Sequence, residues 1–464
     1  MQNITVNQEQ KHDVLVSLHT KDAARTGFSG DYLSTLLVEK DDKIEVLLGL
    51  GKNELDVRQW QEVFASVAKT MVKHKLDAYD VDITAALKAH NSLGARYAAL
   101  GLLLGSYSFS LKEKEEKEVL VNFVVGDQET ATVEAAVEEA TALATGLYFS
   151  RDLVNLPSNH LHPQDMAKRI TDFVSPLGVE CETLEADQLK EKGINGLFLV
   201  GDSSDNKPAL LVLRYLPLGE DEEKIGLVGK GVTFDSGGYS LKPPASMMAM
   251  KSDMAGGAAV AGTMYALAKN KVQTNVVAVI PLCENRVSPS SIVPGDVYTS
   301  YSGKTIEVLN TDAEGRLILA DAVTYIQRDE GVSRIVDIAT LTGAVGVALG
   351  SAASGVVTND SDWWSIVEEA SKVSGERFHV FPVYPEYEKM LDSQIADVKN
   401  IGERSAGAIT GGLFIGRFVE DRPWVHLDIA ATSWTESPGF QFQSKGGTGS
   451  GLVTMYQLCQ DLAK

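Results

Sequence analysis

Four carboxylates of this sequence lie in or beside glycine-rich turns rather than on the charged faces of helices. They are Asp235, Asp253, Asp312 and Glu314, in the stretches VGKGVTFDSGGYSLKP from Val228, MKSDMAGGAA from Met250 and NTDAEGRL from Asn310. If the four converge, they cannot all stay ionised without cations, because like charges raise each other's pKa. Two divalent ions would neutralise them, and oxygen ligands suit Mg and Mn and are acceptable to Zn. The residue types therefore predict a two-metal site, which in enzymes clamps the attacking and leaving oxygens.

Asp312 and Glu314 are two positions apart, so an extended backbone would point both side chains the same way. Three cations are interleaved with the carboxylates, namely Lys230, Lys242 and Arg316. Ordinary salt bridging would account for them. In a catalytic role, a lysine stabilises a developing oxyanion, and the planar fork of an arginine holds a carboxylate or carbonate anion. The residues alone leave both interpretations open.

The histidines lie away from these stretches. None of the eight falls within them, and no HExxH motif is present, which disfavours a zinc protease with histidine ligands. His160 and His162 form an HxH pair, a pattern that is able to bind a metal. The pair sits in a segment with nearby prolines, so we favour a surface or linker role for it.

The composition argues against nucleic acid and membranes as partners. The formal net charge of -21 repels nucleic acid and anionic lipid, and no convincing basic patch offsets it. The N-terminal MQNITVNQEQKHD predicts no signal peptide, and no apolar window approaches the length of a transmembrane helix. Cys181, Cys283 and Cys459 form no CxxC pair, which disfavours a disulfide framework and suits a reducing compartment. We therefore expect a cytoplasmic protein.

The elements that position these residues alternate between strands and helices. A chain of 464 residues exceeds the usual size of one hydrophobic core, so two domains are expected. Residues 1–150 predict a smaller N-terminal α/β domain, whose charged run at 112–118 is expected to form a solvated loop. The segment RDLVNLPSNHLHP, from Arg151, predicts a connection to a larger catalytic domain, 151–464. There, buried strands separated by Ala- and Gly-rich helices predict a mixed central sheet flanked by helices, with its site at the carboxyl ends of strands.

The sequence resembles the leucyl (cytosol) aminopeptidase family. NTDAEGRL is that family's signature octapeptide, and GKGVTFDSGG, the following SLK, and KSDMAGGAA also match. Further similar stretches are RDLVNLPSN, PGDV near Pro294, ATLTGA near Ala339, NIGERSAGAITGGLF near Asn400 and HLDIA at His426. The resemblance covers the chain from about Arg151 onward and is vague before it. It implies a leucyl aminopeptidase, a metallo-exopeptidase that hydrolyses the N-terminal residue of peptides, leucine-like preferred, with a water activated by two metals.

The resemblance also implies a role for each charged residue. The implied metal ligands are Lys230, Asp235, Asp253, Asp312 and Glu314. Asp235 and Glu314 would each contact both ions, Asp312 would complete the looser site, and Lys230 and Asp253 the tighter one. Lys242 would polarise the scissile carbonyl, and Arg316 would hold a bicarbonate ion that acts as general base. The family implies Zn or Mn as the metals.

Substrate contacts follow by similarity as well. The free α-amine of a peptide would bind one metal, so the implied partners are peptides with a free N-terminus. Met250, Thr340 and Gly343 would line the pocket for the first side chain, although Met250 in core packing is an equal alternative. Asn310 would orient a ligand carboxylate, or else serve as a turn residue. The family implies a homohexamer.

Three other functions compete with the aminopeptidase. A two-metal phosphoesterase would use a similar oxygen-rich site, but the octapeptide favours the peptidase family. An inactive scaffold would have lost at least one of the seven metal-binding and catalytic residues, and all seven are present. Nucleic-acid binding as a second function is opposed by the net charge.

Overall fold

A computed structural model describes residues 2–23, 27–51, 54–112, 117–127 and 130–463. Its internal contacts divide the chain into two compact units. The first unit is Met1–Thr145 with Glu436–Lys445, and the second is Gly146–Thr435 with Gly446–Lys464. Most of the charged run at 112–118, predicted as a solvated loop, lies outside the described residues.

The first unit contains a six-stranded sheet in the order β1-β6-β5-β2-β4-β3. Its strands are β1 (Asn3–Asn7), β2 (Val14–Thr20), β3 (Thr35–Lys40), β4 (Lys43–Gly51), β5 (Ala78–Asp82) and β6 (Leu120–Val124), and its helices are α1 (Val57–His74), α2 (Thr84–His90), α3 (Ser92–Ser106) and the start of α4 (Thr130–Asn155). All neighbouring strands run parallel except β3, which is antiparallel to β4. Strands that alternate with helices in this way give the predicted α/β arrangement.

Helix α1 shows how local sequence sets one of these elements. Its first turn is closed by a capping box, in which Asp56 accepts the backbone N–H of Gln59 and the Gln59 side chain accepts that of Asp56. The apolar side of the helix then buries Trp60 and Phe64. It ends where Lys75 adopts a left-handed conformation.

A buried carboxylate lies in the middle of β5. Asp80 has no exposed surface, and both of its oxygens accept hydrogen bonds from neutral donors. The backbone N–H of Lys11 donates to both oxygens at 3.0 and 3.1 Å, and that of His12 donates at 2.6 Å. The side-chain amide of Asn122 donates at 2.5 Å. These donors replace the water that the carboxylate loses on burial.

The first unit also includes a segment from near the end of the chain. Residues 436–445 leave the second unit after Thr435 and return to it at Gly446. Within the first unit, the backbone N–H of Gln441 donates to the Glu62 carboxylate at 3.1 Å. The guanidinium of Arg58 lies 4.1 Å from the ring centre of Phe440. This excursion is not predicted by the sequence.

The second unit is built on a nine-stranded sheet. Its strands, with those of two smaller sheets, are β7 (Glu180–Glu185), β8 (Ala209–Tyr215), β9 (Lys224–Gly229), β10 (Gly231–Asp235), β11 (Asn275–Asn285), β12 (Val297–Thr299), β13 (Thr305–Glu307), β14 (Arg334–Ala339), β15 (Ser354–Thr358), β16 (Phe378–Val380), β17 (Val398–Lys399), β18 (Trp424–Asp428), β19 (Trp434–Thr435) and β20 (Gly446–Gly447). The large sheet has the order β16-β15-β18-β14-β9-β11-β8-β7, and β10 pairs with β11. It is mixed, because β18, β14, β9 and β11 are parallel whereas β8 and β15 are antiparallel to their neighbours β11 and β18.

Helices surround this sheet. After α4 they are α5 (Pro163–Val174), α6 (Ala186–Lys192), α7 (Asn195–Gly201), α8 (Pro244–Met247), α9 (Ala255–Lys269), α10 (Glu314–Arg328), α11 (Gly343–Leu349), α12 (Ser361–Ser374), α13 (Pro385–Lys389), α14 (Gly407–Gly416) and α15 (Leu452–Leu462). Helices α5, α9 and α10 pack on the sheet, and β11 is buried along its whole length. The predicted α/β class with a mixed central sheet is thereby confirmed.

Two expectations from the sequence concern the connection at Arg151 and helices that could span a membrane. The segment from Arg151, predicted as a connection, continues α4 as far as Asn155, and the loop begins only near Pro157. In the described part of the chain, no helix combines the length and the apolarity needed to cross a membrane.

Candidate metal centre

The carboxyl ends of the central parallel strands meet at one edge of the large sheet. Lys230 follows β9, Asp235 ends β10, Thr340 follows β14 and Asp428 ends β18. Because β9, β14 and β18 are neighbouring parallel strands, their ends carry these side chains to the same region. The predicted placement of the site at strand ends agrees with this geometry.

Three carboxylates converge at this edge. One oxygen each of Asp235, Asp312 and Glu314 lies within 4.8 Å of the other two, and we call these residues the acidic cluster. Asp235 and Glu314 are 2% exposed, whereas the side chain of Asp312 is 33% exposed. Carboxylates this close and this buried repel one another unless cations lie between them.

Lys230 lies between Asp253, the fourth predicted carboxylate, and Glu314 of the acidic cluster. Its buried Nζ lies 2.8 Å from Asp253 Oδ2 and 2.9 Å from Glu314 Oε1, and it donates to the Thr340 carbonyl at 2.9 Å. The Thr340 hydroxyl donates to Asp253 at 2.8 Å. A Cβ on Gly315 would lie 2.5 Å from Lys230 Cε, so the glycine of the AEGR sequence leaves room for this side chain.

Lys242 occupies the more open side of the cluster. Its Nζ lies 2.8 Å from Asp235 Oδ2 and 2.5 Å from Asp312 Oδ1, and its side chain is 14% exposed. It sits on the loop between β10 and α8, and that loop turns at Gly237, whose φ is +86°. The two lysines therefore approach the acidic cluster from different chain segments.

Burial and mutual repulsion perturb the pKa values of these groups. Burial raises the pKa of Asp235, and the Glu314 carboxylate raises it further. Burial likewise raises the pKa of Asp253 well above its usual range, and that of Asp312. For Lys230, burial acts to lower the pKa, but the surrounding carboxylates outweigh it and the net pKa is raised. Asp235, Asp253 and Asp312 therefore hold protons more tightly here than in water.

Arg316 lies in the first turn of α10, two residues after Glu314. It is 7% exposed, its Nη1 donates to the Asn400 carbonyl at 2.8 Å, and its Nε has no hydrogen-bond partner among the described residues. Burial lowers the pKa of its guanidinium to about 10, although Glu314 and Asp428 oppose this. A buried guanidinium with a free N–H is able to receive an anion.

The candidate pocket residues take different positions. Thr340 contacts Asp253, as described above. Met250 is half-buried at the start of a short 3-10 turn, and Gly343 is exposed at the start of α11 with open space where a Cβ would be. Asn310 uses its Oδ1 to accept the backbone N–H of Asp312 at 2.8 Å, so its side chain acts as a turn residue.

One expectation about the octapeptide is wrong. The backbone at Asp312 is a turn, and Glu314 is the first residue of α10, so the pair does not lie on an extended strand. The two carboxylates converge because the helix starts immediately after the turn. The polar residues of this stretch favour turn and helix-start conformations over a strand.

Two further residues that the sequence analysis did not assign support the cluster. The buried Asn285 amide donates to Asp235 Oδ1 at 2.8 Å and to the Thr311 carbonyl at 3.0 Å. The Thr311 hydroxyl donates to the Gly237 carbonyl at 2.7 Å and accepts from the Ser240 N–H at 2.8 Å. A single asparagine or threonine in a sequence carries no pattern that would reveal such a role.

The HxH pair does not join the acidic cluster. His162 Nδ1 lies 3.0 Å from Glu284 Oε1, and His160 is exposed. Glu284 also accepts from the Ser204 hydroxyl at 2.6 Å and from Arg286 Nε at 2.6 Å. The contact with Glu284 therefore indicates a structural role for His162.

The donor set fits divalent cations. It offers carboxylate oxygens from the acidic cluster and from Asp253, and Glu314 Oε2 has no hydrogen-bond partner within the described ranges. Oxygen-rich sites of this kind suit hard or borderline dications. The two lysine ammonium groups supply the only positive charge that we find in contact with these carboxylates in the described part of the chain.

Comparisons with known proteins agree with this geometry. A model of the cytosol aminopeptidase family, catalytic domain, matches residues 148–456. The chain is 41% identical over 451 residues to a probable cytosol aminopeptidase of Clostridium perfringens, covering 94% of this chain and 91% of the relative. A probable cytosol aminopeptidase of Alkaliphilus metalliredigens is 41% identical over 450 residues, covering 94% and 90%.

A solved structure of the bottromycin maturation enzyme BotP in complex with Mn superposes with a TM-score of 0.90 at 31% identity, covering 97% of this chain and 100% of BotP. Together the matches define a class, the metal-dependent peptide hydrolases. Within that class, the chain belongs to the cytosol aminopeptidase family, which confirms the resemblance found in the sequence. The chain is accordingly an aminopeptidase that acts on peptides.

Proposed function

We propose that this aminopeptidase uses two divalent ions and removes leucine-like residues from the free N-terminus of peptides. The observation that carries the proposal is the acidic cluster, in which buried carboxylates converge beside Glu314 Oε2, an oxygen without a hydrogen-bond partner among the described residues. Such a group is costly to bury unless it binds a ligand. Divalent cations bound between the carboxylates would satisfy this oxygen.

The residues divide between the two proposed ions. Asp235 and Glu314, the two fully buried members of the cluster, would hold both ions, and Asp312, on the more exposed side, would complete the looser site. Lys230 and Asp253, both buried, would complete the tighter one. Lys230 would bind as a neutral amine, because an adjacent dication favours loss of its proton.

Bound ions would lower the pKa of a coordinated water and polarise the scissile carbonyl. Lys242 would then place its ammonium beside the carbonyl oxygen and stabilise the negative charge that develops there. Its position at the open side of the cluster, in contact with Asp235 and Asp312, supports this role. Arg316 would bind bicarbonate through its free Nε–H, and the bicarbonate would accept a proton from the attacking water.

Selectivity for the N-terminus would come from the substrate amine. A free amine is a ligand for a metal ion, whereas an acylated amine or an internal peptide nitrogen is not. Met250, Thr340 and Gly343 would line the pocket for the first side chain, and no heavy atom lies within 4 Å of where a Cβ on Gly343 would be. Of the two roles open to Asn310, that of a turn residue is supported by its Oδ1, which accepts the backbone N–H of Asp312.

Several broader features belong to the same proposal. Zn or Mn would be the metals, and BotP, solved with Mn, supports the second choice. The family name supports a cytoplasmic location. A homohexamer and a division into an N-terminal domain, 1–150, and a catalytic domain, 151–464, complete the proposal.

The test is a substrate screen on protein that has been stripped with a chelator and reloaded with Zn, Mn, Co or Mg. We expect hydrolysis of leucine anilide only after a metal is returned, and none of N-acetyl-leucine anilide. A phosphate monoester serves as the control for a two-metal phosphoesterase. If the reloaded protein cleaves the ester but no aminoacyl anilide, the phosphoesterase replaces this proposal. If it cleaves neither, an inactive scaffold replaces it.

A further inference from the structure

Asn400 lies beside the octapeptide because of the small sheet formed by β12, β13 and β17. Strand β17 pairs in parallel with β13, and the next backbone N–H, that of Asn400, donates to the Glu307 carbonyl at 2.9 Å. Asn400 itself has no exposed surface. The pairing therefore presents its side chain to the residues that follow β13, which lead into the octapeptide.

The side-chain amide of Asn400 forms hydrogen bonds through both its oxygen and its nitrogen to residues 309–313, the turn that contains Asp312. Its Oδ1 accepts the backbone N–H groups of Leu309 and Asn310 at 2.8 and 3.3 Å. Its Nδ2 donates to the carbonyls of Asn310 and Ala313 at 2.7 and 3.5 Å. An amide side chain carries the same donor and acceptor as a peptide group, so it pairs with the turn as a neighbouring strand would.

The backbone carbonyl of Asn400 contacts the guanidinium of Arg316. The Asn400 carbonyl accepts from Arg316 Nη1 at 2.8 Å. Arg316 and Asn400 are both buried, so this contact is shielded from water and well defined in geometry. One residue thus contacts both the turn that carries Asp312 and the arginine that follows Glu314.

We propose that Asn400 is a positioning residue, which fixes Asp312, Glu314 and Arg316 relative to one another. Residues that orient metal ligands change metal affinity or activity by about 10–100-fold when they are replaced. The catalytic part of this inference rests on the proposed aminopeptidase function. The part that concerns metal affinity does not require catalysis.

The test compares two substitutions of the same kind. Asn400→Asp keeps the size of the side chain but turns a carboxylate oxygen toward the carbonyls of Asn310 and Ala313. The control is Asn275→Asp, because Asn275 is also fully buried, donates to the Gly219 carbonyl at 2.6 Å and accepts the Leu218 N–H at 3.0 Å. Asn275 lies at the amino end of β11, the end opposite to that from which Asn285 contacts the cluster.

We expect both variants to melt at a lower temperature than the wild type, since each loses a buried hydrogen bond. Only Asn400→Asp should bind Mn²⁺ more weakly, by about 10–100-fold in calorimetric titration of the chelated protein. Its kcat on leucine anilide should fall by about the same factor, with KM little changed. Asn400→Ala, which removes the amide without adding charge, should give the same pattern.

Other outcomes would overturn the inference. Wild-type Mn²⁺ affinity and kcat in both Asn400 variants would leave Asn400 with a structural role alone. Equal weakening of Mn²⁺ binding in Asn275→Asp would lead to the same conclusion, as would failure of both Asn400 variants to fold while the control folds. If the wild type binds Mn²⁺ but cleaves no aminoacyl anilide, the proposed function fails, and the comparison of affinities still decides the role of Asn400.

Discussion

Asp80 in the first unit and the acidic cluster in the second are both built from buried carboxylates, but the two sites satisfy them differently. In the first unit, Asp80 accepts hydrogen bonds on both oxygens from neutral backbone and amide groups. In the second unit, Glu314 Oε2 has no hydrogen-bond partner among the residues described. One carboxylate oxygen each of Glu314, Asp235 and Asp312 lies within 4.8 Å of the other two. A buried charge with full hydrogen bonding is part of the fold, whereas a buried group of charges without it is prepared for a ligand.

The strongest test of this contrast is removal of a carboxylate from the cluster. Asp312→Ala should lose one metal and all measurable peptidase activity while it keeps the fold, because no other described carboxylate replaces it on the open side of the cluster. Mass spectrometry would measure the metal content, and circular dichroism would check that the variant keeps its fold. Asp172→Ala, at an exposed ion pair with Lys168, is the control. Full metal loading of the Asp312 variant would contradict the contrast.

A smaller effect is expected from the lysine on the open side. Lys242→Ala should retain metal but reduce kcat by about 10²–10³-fold, the loss typical of one donor to a developing oxyanion. Steady-state kinetics with leucine anilide would measure it, and Lys168→Ala, on the exposed surface, supplies a matched control. Unchanged turnover would remove Lys242 from the catalytic machinery.

The same chemical change should affect stability differently in the two regions. Asp80→Asn presents an N–H₂ group to backbone N–H donors, so it should lower the free energy of unfolding by about 1–3 kcal/mol and leave metal content unchanged. In chelated protein, Asp312→Asn should cost less, because it removes a carboxylate whose pKa is raised by burial and by Asp235. Urea titrations would compare the two. A greater loss in the Asp312 variant would break the comparison.

The smallest expected effect is a dependence of metal stabilisation on pH. Burial raises the pKa values of Asp235, Asp253 and Asp312, so the folded chelated protein binds these protons more tightly than the unfolded chain. Its stability should therefore fall as the pH rises above the usual aspartate pKa of about 4. Metal ions displace the protons and bind more tightly as the pH rises. The difference in Tm between loaded and chelated protein should grow between about pH 5 and about pH 8, and a constant difference would contradict this.

Glycine-rich contexts indicated turns for the acidic residues, but Asp235 ends a strand whereas Glu314 begins α10. Together with its resemblance to the family, the sequence was sufficient to predict which acidic stretches meet. It was insufficient for Asn285 and Asn400, because one amide side chain leaves no spacing or periodicity, and its partners are identified only when distant segments pack.

The backbone of the octapeptide was also beyond sequence analysis. A two-residue spacing suggests a strand, but the Asn310 side chain closes a turn on Asp312, and the helix begins at Glu314. Local hydrogen bonding of this kind competes with extended structure. The membership of residues 436–445 in the first unit was equally hidden, because their partners, Arg58 and Glu62, are nearly a whole chain away in sequence.

That late segment has a consequence for biosynthesis. Domains usually fold as soon as their residues leave the ribosome, beginning with the N-terminal one. Here the carboxylate of Glu62 and the guanidinium of Arg58 meet Gln441 and Phe440 only after the second unit has been almost fully translated. We therefore expect the first unit to complete its contacts with residues 436–445 only after residues 146–435 of the second unit have been synthesised.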